Sequence, residues 1–88
     1  MYNLEIKPSC QKDIDKLCKK NPVLRKALER KMNEVLQNPQ HYKPLGYELA
    51  GEKRVHLMKS FVLKFEVDEL QKTVTFIFFG HHDDAYRR

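Results

Sequence analysis

The first half of the chain changes its hydrophobic period from that of a strand to that of helices. In residues 2–6, apolar and polar side chains alternate with a period of two, which predicts a half-buried strand ending at Pro8. Ser9 favours the N-cap of a first helix. The pair Asn21-Pro22 favours the start of a second helix, which closes at Asn38-Pro39. The apolar positions of the two helices recur three and four residues apart, at Cys10, Ile14, Leu17 and Cys18 and at Leu24, Ala27, Leu28, Met32, Val35 and Leu36.

Three strand candidates follow in the second half, after a stretch marked by proline and glycine. They are residues 54–58, 61–67 and 73–79, separated by short polar turns. The last of them, TVTFIFF, is apolar on both faces, which is typical of an interior strand, with the first strand a candidate neighbour. These elements predict one α+β domain over residues 1–88, in which an N-terminal strand and a two-helix antiparallel hairpin pack on a mainly antiparallel four-stranded sheet.

One face of the predicted sheet carries basic side chains. Side chains two apart on a strand point the same way, so the face opposite the core presents Arg54, His56 and Lys64 side by side. Residues 80–88, GHHDDAYRR, add two imidazoles, two carboxylates, a phenol and two guanidiniums. A solvated tail is the alternative for this segment. A metal site made by residues 81–84 is disfavoured, because adjacent residues of an extended chain point apart.

Composition and charge narrow the class of partner. The 88 residues include 17 Lys and Arg against 12 Asp and Glu, a net charge of +5, so we expect nucleic acid or an acidic protein as partner. No run of 18 apolar residues and no apolar N-terminal stretch is present, which predicts a cytoplasmic protein that does not contact a membrane.

The two cysteines are predicted to be small core residues. Cys10 and Cys18 lie eight positions apart on one predicted helix, so about 12 Å of helical rise separates them. That separation excludes a disulfide between them. No pair of Cys and His at ligand spacing favours a metal site.

Several segments together resemble the RelE/ParE toxin superfamily over essentially the whole chain. They are the stretch ELAGEKRVHL with its loop Leu49-Ala50-Gly51, the strand FVLKFEV and the final pattern Gly-His-x-x-Asp-x-Tyr-Arg. The resemblance implies a RelE-like fold and a type II toxin that cuts messenger RNA on the translating ribosome. It also implies a small, acidic, helical antitoxin as partner. Another branch of the superfamily, that of ParE, poisons DNA gyrase instead.

The resemblance and the chemistry of RNA cleavage together suggest roles for four residues. RNA supplies its own nucleophile, the 2′-hydroxyl, so the protein must supply a base, an acid and cations around the phosphorus. This reaction needs no metal and no cofactor. We predict that His56 and His82 share the acid and base roles in either order, because histidine titrates near neutral pH. Arg54 would stabilise the scissile phosphate, and Tyr86 would stack on a base or orient the 2′-hydroxyl.

Some of these positions depart from the pattern of the superfamily. Arg54 and His56 stand where the RelE branch usually has lysines. His82 stands where that branch often has arginine, although other RNA-cleaving relatives use histidine in this segment. Val62 replaces an arginine of many RNA-cleaving relatives, and Lys64, on the same strand face, is the residue that would supply the missing charge. Longer-range attraction to RNA is assigned to Lys43, Lys53, Lys59, Lys64, Arg87 and Arg88.

Two other functions stay open at this point. A ParE-like protein that binds gyrase and has no nuclease activity is favoured by Val62 and disfavoured by the histidines and Tyr86. A decayed toxin would retain antitoxin binding only. At the level of single residues, His56 has the alternative of an ordinary exposed polar side chain, and Tyr86 that of covering a sheet edge.

Overall fold

The structure is a computed structural model that describes residues 1–42 and 52–85, with the side chains of residues 84 and 85 outside the description. Its elements in chain order are β1 (Asn3–Ile6), α1 (Pro8–Cys18), α2 (Pro22–Gln37), a single 3₁₀ turn (Pro39–His41), β2 (Glu52–Leu57), β3 (Phe61–Asp68), β4 (Thr73–His81) and α3 (His82–Ala85). Every element predicted from the hydrophobic pattern is present. Strand β2 starts two residues earlier than predicted and ends one residue earlier, at Leu57, and β4 ends two residues later than predicted. Helix α3 was not predicted.

The two long helices begin at prolines. For α2 the prediction is confirmed, since the Asn21 side-chain oxygen accepts a hydrogen bond from the Leu24 N–H at 3.1 Å and Pro22 occupies the first turn. For α1 the prediction of Ser9 as N-cap is wrong. The N-cap is Lys7, two residues earlier, so the helix starts at Pro8, and no side chain caps it. A proline ring already holds the φ angle that a first helical residue needs, so Pro8 both ends the strand and opens the helix.

The sheet has the strand order β1-β4-β3-β2. Strands β2, β3 and β4 form an antiparallel meander, and β1 adds to β4 in parallel. The interior position of the apolar strand β4 and the mainly antiparallel α+β fold are therefore confirmed. Among the described residues, no helix has the length and apolar character needed to cross a membrane.

The helices cover one face of the sheet. A single buried cluster joins α1 and α2 to the strands, and its largest fully buried side chains are Leu24, Leu28, Leu63, Phe65, Phe76 and Phe79. Cys10 and Cys18 belong to this cluster as free thiols, as predicted for small core residues. Burial, and then the charge of Asp13, raise the pKa of the Cys10 thiol to about 11. We call this side of the sheet the helix-covered face.

Strand β4 contains a β-bulge that changes which of its residues look toward the helices. Phe65 of β3 lies opposite Phe76, but the preceding Lys64 lies opposite Phe78, so Ile77 is the extra residue. Before the bulge, Phe76 belongs to the helix-covered face; after it, Phe79 does. Phe78 is turned to the opposite side as a result, where strict alternation would have placed it in the core.

Candidate active site on the open face of the sheet

The face of the sheet away from α1 and α2, here called the open face, holds the predicted basic side chains in two rows. Residues opposite each other in neighbouring strands point to the same face. The first row runs across three strands through Arg54, Lys64 and Phe78. The second row, one step toward the β2–β3 turn, runs through His56, Val62 and Gly80.

Helix α3 brings the C-terminal histidine to the second row. The rings of His56 and His82 are stacked, with centroids 5.4 Å apart and planes inclined by 27°. The backbone of His82 is fixed as well, because its N–H donates to the Ser60 carbonyl oxygen at 2.7 Å. Ser60 lies in the β2–β3 turn, so this hydrogen bond ties the start of α3 to the strand that carries His56. Two imidazoles from distant parts of the sequence therefore lie next to each other on the open face.

The neighbouring histidine is directed elsewhere. The His81 ring lies 4.6 Å from the Phe61 ring, on the helix-covered face. The two histidines thus point apart, but not for the reason expected: residues 81–84 are not an extended chain, since β4 ends at His81 and helix α3 begins at His82. Asp83 approaches His82, with 3.9 Å between its carboxylate oxygen and Nδ1, but the Asp83 side chain is almost fully exposed. Such a contact adds little because water screens it.

Val62 is a buried apolar residue in the row that carries His56. It lies between His56 and Gly80 in the register and is 0% exposed, yet it is absent from the core cluster that joins the helices to the sheet. The residue is therefore buried from the open side. The positive charge of this surface comes from the row of Arg54 and Lys64 instead.

Charge on the open face is divided between its two ends. Arg54 and Lys64 lie opposite each other, and the Lys64 Nζ is 5.4 Å from the centroid of the Phe78 ring. Beyond this row, Glu52 lies opposite Glu66. The next strand pair continues the acidic end, since Glu5 lies opposite Thr75 and accepts its hydroxyl hydrogen bond at 3.4 Å. An anion is attracted to the end of the face that holds the histidines and repelled from the other.

The remaining residues predicted to bind RNA have varied positions. Lys59 is exposed in the β2–β3 turn, with a positive φ of 66°. Lys53 lies on the helix-covered face, where its Nζ donates to the Pro39 carbonyl oxygen at 3.0 Å, so it does not join the Arg54 surface. Lys43, the loop 49–51, Tyr86, Arg87 and Arg88 lie outside the described residues.

Sequence reasoning missed three residues of this surface. Ser60 acts through its backbone carbonyl, which no side-chain pattern reveals. Phe78 reaches the open face only because of the bulge. Gly80 provides the space for that ring, since a Cβ atom at Gly80 would lie 2.8 Å from the tip of the Phe78 ring. The one available signal was a glycine directly before two histidines.

Comparison with known proteins places this geometry in context. Residues 4–86 match the family described as "ParE toxin of type II toxin-antitoxin system, parDE". A Methanocaldococcus jannaschii protein named "Putative toxin RelE4" is 51% identical over 88 residues, covering 100% of this chain and 94% of the relative. The isolated RelE toxin of E. coli aligns with a TM-score of 0.77 at 25% identity, covering 92% of this chain and 84% of RelE. RelE within the E. coli RelBE toxin–antitoxin complex gives 0.76 at 25% identity, covering 91% and 95%.

Proposed function

Because the chain belongs to the RelE/ParE family of type II toxin–antitoxin toxins, we propose that it is an endoribonuclease that cuts messenger RNA on the ribosome. The observation that carries the proposal is the stacking of His56 and His82 at 5.4 Å beside Arg54 and Lys64. A protein that acted only by binding another protein would not need two proton-transfer groups beside two cations.

The proposed reaction uses only the RNA and these side chains. One histidine removes the proton of the 2′-hydroxyl, and the 2′-oxygen forms a bond to the adjacent phosphorus. The bond from phosphorus to the 5′-oxygen breaks, and the other histidine donates a proton to that leaving oxygen. The products are a 2′,3′-cyclic phosphate and a 5′-hydroxyl end. No metal or cofactor takes part in the proposed reaction. The proposal does not fix which histidine is the base and which is the acid.

The cations stabilise the extra negative charge that gathers on the phosphate oxygens in the transition state. Arg54 and Lys64 lie in the row next to the histidines, about 7 Å along the strands at roughly 3.3 Å per residue. Long side chains span that distance, and Arg54 offers a planar donor fork to phosphate oxygens. Lys64 thereby supplies the charge that Val62 does not. Tyr86 remains proposed as a stacking or orienting group, and Lys43, Lys59, Arg87 and Arg88 as longer-range attraction.

The proposed partners follow from the family and the charge. A type II toxin is held by an antitoxin, and E. coli RelE has been solved in a complex with its antitoxin. The net charge of +5 suits a small acidic antitoxin and also RNA. Action on translating ribosomes would take place in the cytoplasm.

The test is cleavage of a defined message on purified translating ribosomes. Wild-type protein is expected to produce a new cut within the codon being decoded, and the double variant His56→Ala, His82→Ala to produce none. His81→Ala is the matched control, because His81 is adjacent in sequence but lies on the other face, and it should cut like wild type. Intact message with the wild-type protein, or equal cutting by the double variant, would refute the proposal.

A second candidate is inhibition of DNA gyrase, favoured by the description of the matched family as ParE toxins and by Val62. It predicts that the protein blocks gyrase supercoiling of plasmid DNA. It also predicts that the double histidine variant blocks supercoiling as well as the wild type does. The nuclease proposal predicts no effect on supercoiling from either protein.

A further inference from the structure

We propose that Phe78 is a base-stacking subsite, on which one nucleobase of the message lies while the adjacent phosphate is held near the histidines. The inference rests on the proposed ribonuclease function and deepens it by naming how the substrate is oriented. It concerns a residue that the hydrophobic pattern assigned to a buried strand.

The first support is the place of the ring among charged groups. Phe78 is the third member of the row that contains Arg54 and Lys64, and among the described strand residues it is the only phenylalanine or tyrosine on the open face. An aromatic ring in line with two cations offers a flat apolar surface for a base and positive charge for the phosphates on either side of it. The acidic end of the open face lies on the other side of this row, so RNA is directed from the cations toward the histidines.

The second support is the way the ring is held. Its tip lies over Gly80, where an added Cβ would come within 2.8 Å, and Gly80 is next to Val62 in the row that carries His56. The ring therefore leans from the cation row toward the histidine row. It is half-buried, so part of its surface is exposed to solvent. Lys64 lies over it, with Nζ 5.4 Å from the ring centroid. A base that stacks on this side of the ring takes the place of the ammonium group, which then lies beside the base.

The third support is the β-bulge at Ile77. Regular alternation in β4 would bury Phe78 against the helices, where its apolar ring would contribute to the core. The bulge instead turns this ring onto a charged surface, at the cost of a disrupted ladder. Bulges that direct a side chain often occur beside active sites. A stacking role gives a physical reason for an aromatic residue in that position.

The experiment measures stacking separately from cutting. Ribosomes carry a message in which each nucleotide of the decoded codon is in turn 2-aminopurine, a fluorescent base that is quenched on stacking. All nucleotides of the decoded codon in this message also lack the 2′-hydroxyl, so the codon cannot be cut. Wild-type protein and the double variant His56→Ala, His82→Ala are both expected to quench one position. Phe78→Leu should lose that quenching, and Phe78→Tyr, which keeps the ring, should retain it.

Cutting of ordinary message provides the second readout. Phe78→Leu is expected to lower kcat/KM about tenfold, within the range found for loss of one base–aromatic contact. An abasic residue at the quenched position should lower wild-type cutting by a similar factor and make wild type and Phe78→Leu equal. This abasic arm uses the wild-type protein, so it remains decisive even if a variant folds poorly.

Each outcome separates the inference from the proposed function. Equal quenching by wild type and Phe78→Leu overturns the stacking subsite even where the message is cut. The subsite is also overturned if Phe78→Leu lowers cutting of the abasic message as much as that of ordinary message, because the ring would then have a structural role. It is overturned as well if Phe78→Leu changes only the affinity for the antitoxin. Conversely, Phe78-dependent quenching without any cutting by the wild type would retain the subsite and refute the nuclease.

Discussion

The two faces of one sheet differ in what the same strands contribute to them. The helix-covered face takes alternate residues of β2, β3 and β4 into a continuous apolar core. The open face takes the residues between them and carries charged side chains, two stacked histidines and one buried valine. A change on the first face should therefore act on stability, and a change on the second on function, even for residues adjacent in sequence.

The largest effect is expected from placing a charge on each face. Val62 and Val74 are both 0% exposed, but Val74 belongs to the core cluster and Val62 does not. Val74→Arg buries an unpaired charge among the helices and should lower the free energy of unfolding by more than about 4 kcal/mol. Val62→Arg should cost about 1–3 kcal/mol, because a guanidinium there can extend toward solvent. Urea unfolding measures both, and equal losses would contradict the distinction between the two faces.

A second effect concerns pH and belongs to the helix-covered face alone. The Cys10 pKa is about 11 in the folded protein and 9.0 in a free chain. As pH rises above 9 the unfolded chain loses this proton first, so stability present below pH 9 is lost progressively up to pH 11, by roughly 2 kcal/mol.

Denaturant unfolding at pH 8 and pH 10.5 tests this pH dependence. The loss of stability should be smaller for Cys10→Ala than for the wild type, since titration of tyrosines and lysines is common to both proteins. Cys18→Ala is the matched control. Burial also raises the Cys18 pKa, but the nearby Arg25 opposes the shift. An identical loss in wild type and Cys10→Ala would show that this thiol does not contribute.

The smallest effects come from two neighbouring cations on opposite faces. Arg54→Gln should lower cutting about tenfold, the size expected for one hydrogen bond to a charged group, and change unfolding by less than about 1 kcal/mol. Lys53→Gln should leave cutting unchanged and cost about 1 kcal/mol, because it weakens the hydrogen bond to Pro39. The comparison fails if Lys53→Gln impairs cutting as much as Arg54→Gln does.

Most of the fold followed from local patterns. Periods of two and of about four separate strands from helices, and the Asn21-Pro22 pair marks a helix start because the cap and the ring act within one turn. The alternation in β2 and β3 also put Arg54, His56 and Lys64 on one face, as the register has it. The error at Ser9 is of the same local kind, since Pro8 competes for the same turn.

The site depended on contacts that no local pattern contains. Alternation along the chain cannot reveal that β4 has an extra residue at Ile77, because the bulge is defined only by pairing with β3. The sequence pattern therefore assigned Phe78 to an apolar strand and gave it no place in the candidate site. The position of His82 likewise depends on its hydrogen bond to Ser60, 22 residues away.

By itself the sequence determined the four strands, the two long helices and the interior place of β4, because backbone geometry and side-chain period act over a few residues. Only the tertiary structure decided which face received Phe78, which lysine turned toward the helices and where the two histidines meet. Strand pairing and packing between distant segments set those outcomes. The interactions that stabilise them form between residues far apart in sequence, so no short stretch of the chain contains them.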